Sequence, residues 1–230
     1  MVGLFNFDGP MNNQGIVIRS TGSWSTVQLE SGKFQDCRLR GNFRIKGIKS
    51  TNPIAVGDHV TVEEDPKDDR QGVITHIRER KNYIVRRSVN LSKRSHIIAS
   101  NIDQLIVLAT VSEPRTSLGF IDRLLVTAEA YNIPSVIVFN KADLLNEDEA
   151  KILAKYRNIY EAIGYATLLV SAQEKTGFES LMDIMKGNTS LVSGHSGVGK
   201  STLINAFEPD LDLKVSEISE VHRKGTHTTT

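Results

Sequence analysis

The stretch Gly194-His-Ser-Gly-Val-Gly-Lys-Ser201 fits the spacing G-x-x-x-x-G-K-[ST]. That spacing serves the binding of a phosphate chain. Its glycines let backbone N–H groups close around an anion, and a helix starting at the loop's end adds the positive end of its dipole. Lys200 is placed to reach the β- and γ-phosphates, where it would also serve catalysis. The Ser201 hydroxyl is placed to ligate Mg²⁺. The flanks agree with this use. Leu191 and Val192 end an apolar run that reads as a buried strand, and Leu203, Ile204 and Phe207 fall on one side of a helix starting at Ser201. Gly194, His195, Ser196, Gly197, Val198, Gly199, Lys200, Ser201 and Thr202 are therefore candidate residues for a nucleoside triphosphate.

Two further stretches could read the base. Asn140-Lys-Ala-Asp143 fits N-K-x-D and follows an apolar run ending at Phe139. This places it at the carboxyl edge of a sheet, where open α/β folds bind ligands. The Asp143 carboxylate can accept hydrogen bonds from guanine N1–H and the 2-amino group. Adenine offers neither donor, and the penalty of an unpaired carboxylate rejects it. Asn140 would bond the N7 side, and the Lys141 stem would lie along base and ribose. Ser171-Ala-Gln173 follows the run Leu168 to Val170, so the Ala172 N–H could donate to guanine O6. Ser171 could equally act as a helix N-cap.

The elements that must position these residues divide the chain in two. Residues 101 onward alternate buried strands with helices: Leu105–Ala109, a helix from Phe120, Ser135–Phe139, a helix over Asp148–Ile163, Leu168–Val170, and Phe178–Met185. In the helix over Asp148–Ile163, spacing turns Ile152, Leu153, Tyr156, Ile159 and Ile163 inward. This predicts a three-layer α/β domain with a mostly parallel sheet. Residues 1 to about 87 read instead as short strands: Gly15–Ser20, Ser25–Leu29, Phe43–Lys46, Asp58–Glu63 and Gly72–Ile77, separated by turn residues. Five strands without a helical pattern predict a small barrel of OB type, or an SH3-like one.

Charge follows the same division. Residues 1–95 carry 16 Lys and Arg against 10 Asp and Glu, a net +6, and residues 96–230 carry 12 against 17, a net −5. Arg38, Arg40, Arg44, Lys46 and Lys49 surround Phe43, and Arg78, Arg80, Lys81, Arg86, Arg87, Lys93 and Arg94 follow the barrel. Cations interleaved with an aromatic suit an RNA backbone with a stacked base. A solvated strand face is the plainer alternative. In all 230 residues no apolar run approaches the ~18 residues of a membrane span, and the start lacks a signal pattern. The single cysteine, Cys37, excludes an intrachain disulfide, and the cytosol is the expected compartment.

Motif order is the most specific feature. GTPases ordinarily carry the phosphate loop before N-K-x-D. Here Asn140 and Ser171 both precede Gly194, and Gly225-Thr-His-Thr-Thr229 comes last. The order is circularly permuted. With a basic barrel in front, the chain resembles the ribosome small-subunit-dependent GTPase A family over essentially its whole length. Arg80-Lys-Asn82, Ala99-Ser-Asn-Ile-Asp-Gln104, Asp122-Arg123 and Gly225–Thr230 are similar to that family as well.

The resemblance implies a GTPase acting late in maturation of the small ribosomal subunit, slow alone and stimulated by that subunit; a cytoplasmic monomer is expected. It implies an OB-fold over 1–87 and a permuted G domain over 88–230; the cluster Arg38, Arg40, Phe43, Arg44 and Lys46 on the barrel is the expected ribosomal RNA site. It also implies a C-terminal zinc domain. The sequence ends at Thr230, within the expected switch I, and no D-x-x-G motif follows the phosphate loop. Zinc is thus expected only outside this chain. Thr229, or failing it Thr228, would complete the Mg²⁺ shell, and His227 would be the group that orients the attacking water. A small-molecule kinase, an RNA-binding module with a vestigial nucleotide site, and a permuted GTPase of another assembly step are the competing readings.

Overall fold

The computed structural model describes residues 13–21, 23–40, 53–65, 68–87 and 95–207. The chain forms two compact units, Met1–Asn101 and Ile102–Thr230.

The first unit holds a closed barrel of five strands: β1 (Gln14–Thr21), β2 (Trp24–Leu29), β3 (Phe34–Leu39), β4 (His59–Asp65) and β5 (Asp68–Ile77). Their order is β1-β2-β3-β5-β4, closed by pairing of β1 with β4. β3 and β5 run parallel, and the other neighbours are antiparallel. Alternate residues face inward, so Val17, Val27, Cys37, Val60, Val62 and Ile74 fill the interior. Burial there pushes the Cys37 thiol up to about 12, with the Asp36 charge adding to the effect, so it is an inert small residue. The third strand differs from expectation. The predicted strand at Phe43–Lys46 lies outside the described residues, and β3 at Phe34–Leu39 takes the third place. Its inward residues are Gln35, Cys37 and the partly buried Leu39, and the polar Gln35 breaks the apolar alternation.

A two-stranded ribbon of β6 (Tyr83–Arg87) and β7 (Ser95–Ser100) completes this unit. Asp58 ties it to the barrel. The Asp58 carboxylate is 0% exposed and accepts four hydrogen bonds. Oδ1 takes Arg80 Nε and Ser100 Oγ, both at 2.6 Å, and Oδ2 takes Arg80 Nη2 at 2.6 Å and the Ala55 N–H at 2.8 Å. Arg80 Nη2 also donates to the Pro53 carbonyl at 2.7 Å. Arg80 is thus a buried structural cation, which corrects its place among the surface cations that follow the barrel. Gly57 makes the close approach possible. Its φ is +91°, and a Cβ there would lie 2.1 Å from the Ser100 carbonyl oxygen.

The second unit is built on a parallel sheet of β8 (Gln104–Ala109), β9 (Ser135–Phe139), β10 (Ala166–Leu169) and β11 (Ser190–Ser193), in the order β10-β9-β8-β11. All three pairings are parallel. Every residue of β8 is buried, as a strand covered on both faces requires. Ile106 and Leu108 pack with Phe178 and Leu181 of α3 (Phe178–Met185) and Leu203 of α4 (Lys200–Phe207). Leu105 and Val107, which alternate onto the other face, are equally covered. α1 (Leu118–Ala130) packs on β8, and α2 (Glu147–Ala162) packs on β10.

α2 starts at a capping box: Asn146 Oδ1 accepts from the Asp148 and Glu149 N–H groups, and Glu149 Oε2 accepts from the Asn146 N–H. Its inward face corrects the predicted one. Leu153, Tyr156 and Tyr160 are buried, while Ile159 and Ile163 are exposed. Tyr160 goes inward because its hydroxyl finds Asp122 Oδ1 at 2.9 Å.

Candidate nucleotide site

Because the four strands of the second unit are parallel, their carboxyl ends share one edge. The loops leaving β9, β10 and β11 there carry Asn140, Ser171 and the phosphate loop. Asn140 is buried and binds across them. Its Oδ1 accepts from the Ala172 N–H at 3.0 Å, and its Nδ2 donates to the Val198 carbonyl at 2.9 Å. One side chain therefore fastens the Ser171 loop to the phosphate loop. Gly199 makes room for it. A Cβ at Gly199 would lie 2.4 Å from Asn140 Nδ2, and φ there is +92°.

Sequence reasoning gave Asn140 and Ala172 to guanine alone; the structure adds this bond between them. No motif spacing announces it, since a pattern says which residues recur and not which of them touch.

Asp143 sits in a single 3-10 turn, Ala142–Leu144, entered through Lys141 in the left-handed region at φ +66°. Ser171, wholly buried, donates its hydroxyl to Asp143 Oδ1 and accepts from the Glu174 N–H at 3.0 Å. The serine thus caps its own loop and aims the carboxylate. Asp143 itself is exposed, leaving it open to a ligand. Lys141 Nζ donates to the Glu113 carbonyl. Burial lowers its pKa, opposed by the charges of Glu113 and Asp143.

The phosphate loop turns through Gly197 and Gly199, with φ of +83° and +92°. Val198 and Leu203, both buried, anchor the loop and the first turn of α4, and the Leu203 N–H closes on the Gly199 carbonyl at 2.8 Å. Lys200 Nζ donates to the carbonyls of Gly194 and His195 at 3.0 and 2.6 Å. Partial burial lowers its pKa. Ser196, Ser201 and Thr202 are half-buried along the loop and the start of α4. The imidazole of His195 stacks on Phe120 of α1, with ring centroids 3.6 Å apart and 26° between planes. This contact was not legible in the sequence. Burial first, then the charges of Lys200 and Arg123, keep the imidazole pKa below its ordinary value.

The remaining candidates divide. Phe43, Arg44 and Lys46 of the barrel, and His227 and Thr229, lie outside the described residues. Arg38 Nη2 binds the buried Asp65 carboxylate at 2.5 Å, and Arg40 Nη1 lies 4.0 Å from Glu63. Both guanidiniums stay on the outer wall. Directly opposite Arg38 in the β2–β3 register stands Trp24, 41% exposed, and Phe34 on the same strand as Arg38 is 60% exposed. The aromatic surface of the described barrel is therefore Trp24 and Phe34. Among the described residues, no group of three or more His, Cys, Asp or Glu could hold a metal ion, and no helix is long and apolar enough to cross a membrane.

Comparison with known proteins gives one family. The RsgA N-terminal domain model matches residues 14–74, and the RsgA GTPase model matches residues 77–230. A curated relative from Flavobacterium johnsoniae is 57% identical over 217 residues, 94% of this chain and 67% of the relative. Another from Christiangramia forsetii is 55% identical over 218 residues, 94% of this chain and 69% of the relative. Both are named small ribosomal subunit biogenesis GTPase RsgA. Among solved structures, YjeQ from Thermotoga maritima superposes with a TM-score of 0.70 at 36% identity, covering 89% of this chain and 68% of that one. YloQ, described as a circularly permuted GTPase, superposes at 0.64 and 29% identity, over 90% of this chain and 68% of its own. Both units and the inverted motif order agree with these matches, and the chain belongs to the RsgA family of circularly permuted GTPases.

Proposed function

We propose that this chain binds GTP with Mg²⁺ and hydrolyses it to GDP and phosphate during maturation of the small ribosomal subunit, while the barrel engages ribosomal RNA. The observation that carries the reading is the Asn140 brace, which fastens the Ser171 loop, where Asp143 is held, to the phosphate loop. Base and phosphate ends of one ligand are thereby held at a fixed separation.

Guanine would meet Asp143 through its N1–H and 2-amino groups. Lys200 would leave the carbonyls of Gly194 and His195 for phosphate oxygens, exchanging neutral acceptors for charged ones. The described residues suit a magnesium ion carried largely by nucleotide phosphates, because the loop offers the Ser201 hydroxyl and no carboxylate cluster stands beside it. Bound there, the ion would neutralise phosphate charge; Thr229 is the second protein ligand we assign to it. Water attacks the γ-phosphorus as the bond to the β–γ bridging oxygen breaks, and this needs positioning and charge more than covalent help. His227 is the residue we assign to orient that water.

Single-turnover hydrolysis with small subunits, large subunits and neither tests the reading. Small subunits should stimulate turnover, and ATP should not substitute for GTP. His227→Ala should lower kcat about 10²-fold with GTP affinity nearly intact. Equal stimulation by large subunits would move the chain to another assembly step. Binding without turnover under all three conditions would leave a vestigial site.

A further inference from the structure

Arg123 lies one helical turn after Phe120 on α1, so the two share a face. Phe120 stacks on His195 of the phosphate loop. Arg123 reaches back along the helix: its Nη1 lies 3.7 Å from where a Cβ on Gly119 would sit. That is the N-terminal end of α1, which follows β8 and stands at the same sheet edge as the loop. Among the described residues Arg123 has no ion-pair partner. The carboxylate next to it, Asp122, is taken by the Tyr160 hydroxyl.

Lys200 fixes which end of the nucleotide this is. A phosphate-loop lysine serves the β- and γ-phosphates, and here its ammonium lies on the carbonyls of Gly194 and His195. The guanine reader Asp143 belongs to the other end. His195 also feels the charges of both Lys200 and Arg123, and among the described residues no carboxylate acts on it. Among the described residues, a guanidinium without an ion-pair partner thus stands beside a cationic spot without a carboxylate, which is a place for an additional negative charge.

We propose that Arg123 is a specificity-determining cation for the terminal phosphate: it distinguishes GTP from GDP, and the Phe120–His195 stack holds it against the phosphate loop. The inference rests on the GTP reading above. An arginine in that place would favour the ligand carrying the γ-phosphate and leave the diphosphate nearly untouched, because the added interaction is a charge-assisted one to the group that GDP lacks.

The test is equilibrium binding of fluorescent GTP and GDP analogues, with a non-hydrolysable GTP analogue alongside, to this chain and to Arg123→Ala and Arg123→Lys. In Arg123→Ala the triphosphate affinity should fall roughly tenfold while GDP affinity stays within about twofold; Arg123→Lys should restore most of the preference. The wild-type preference for triphosphate should also weaken with salt more steeply than that of Arg123→Ala. Equal losses for GTP and GDP would make Arg123 a packing residue and overturn the proposal, as would an unchanged GTP-to-GDP ratio. A wild-type chain that binds adenine and guanine nucleotides alike, or neither, would overturn the GTP reading itself, and the proposal with it.

Discussion

Asp58 in the barrel unit and Asp143 in the nucleotide unit are both carboxylates held by a serine hydroxyl, Ser100 and Ser171. Asp58 is wholly buried and accepts from four donors, two of them on Arg80. Asp143 is exposed, and Ser171 holds one of its two oxygens. The same chemical group serves architecture in one unit and, on the proposed reading, a ligand in the other. A saturated buried carboxylate costs nothing further and offers nothing further. A carboxylate aimed by one serine and otherwise open is pre-oriented, with acceptor capacity in hand. The cations show the same split: Arg80 is fully committed, and Arg123 has no partner among the described residues.

The most forceful way to break this comparison is Arg80→Ala. It strands the Asp58 charge in the barrel unit, and denaturant unfolding should show a loss of about 3–5 kcal/mol. Guanine nucleotide affinity should move little. A stable variant with weakened nucleotide binding would reverse the roles assigned to the two units. Next comes Asp143→Asn, which should cost GTP about 2–3 kcal/mol of binding while leaving unfolding unchanged. Xanthosine triphosphate, with a carbonyl at the 2-position, should gain. Should Asp143→Asn instead destabilise the fold as Arg80→Ala does, Asp143 belongs with Asp58 after all.

The elements that could be read in advance were those whose physics is local. β8 and β9 are continuous apolar runs because both faces are covered, and the phosphate loop is legible because its glycines answer to a backbone requirement. β3 was not legible: what it buries is Gln35 and Cys37. On α2 the isoleucines 159 and 163 looked like core residues, yet a tyrosine with a hydroxyl partner is buried in their stead. At the site the residue types were legible and their mutual bonds were not. Asn140 bonds to Ala172 and Val198, 32 and 58 residues away in the chain, and one sequence carries no sign of such pairings. Arg80 was read as a surface cation for the same reason.

Gly199→Ala sharpens the comparison more finely. The positive φ and the 2.4 Å approach to Asn140 Nδ2 should together cost about 1–3 kcal/mol of stability, and nucleotide affinity should fall with it, since the brace and the loop are one structure. A variant with normal affinity would show that the brace is dispensable for binding. The smallest effect belongs to the outer wall of the barrel. Replacing Arg40 on that wall, together with Arg44 of the same basic cluster, by alanine should change stability by less than about 1 kcal/mol per residue; Arg38 is left in place because it holds the buried Asp65 carboxylate. The double replacement should lower the slope of log affinity for subunit RNA against log salt by roughly one unit per lost phosphate contact. An unaltered slope would make these arginines a solvated face, and Trp24 and Phe34 the next residues to replace.

The strand order has a consequence for synthesis. β11 joins the sheet beside β8, with Ser190 opposite Gln104 across 86 residues of chain. While the chain is being made, β8, β9 and β10 can assemble first, and one edge of β8, the most buried strand of the unit, then stands without a neighbour. Such an edge is a template for pairing with another chain. Asn140 meanwhile lacks its acceptor on Val198. Translation therefore passes through an interval in which the loops proposed to read guanine exist and the phosphate loop does not. Nucleotide cannot stabilise this intermediate, and the arrival of β11 and α4 covers that edge of β8 and brings the phosphate loop to the sheet in one step.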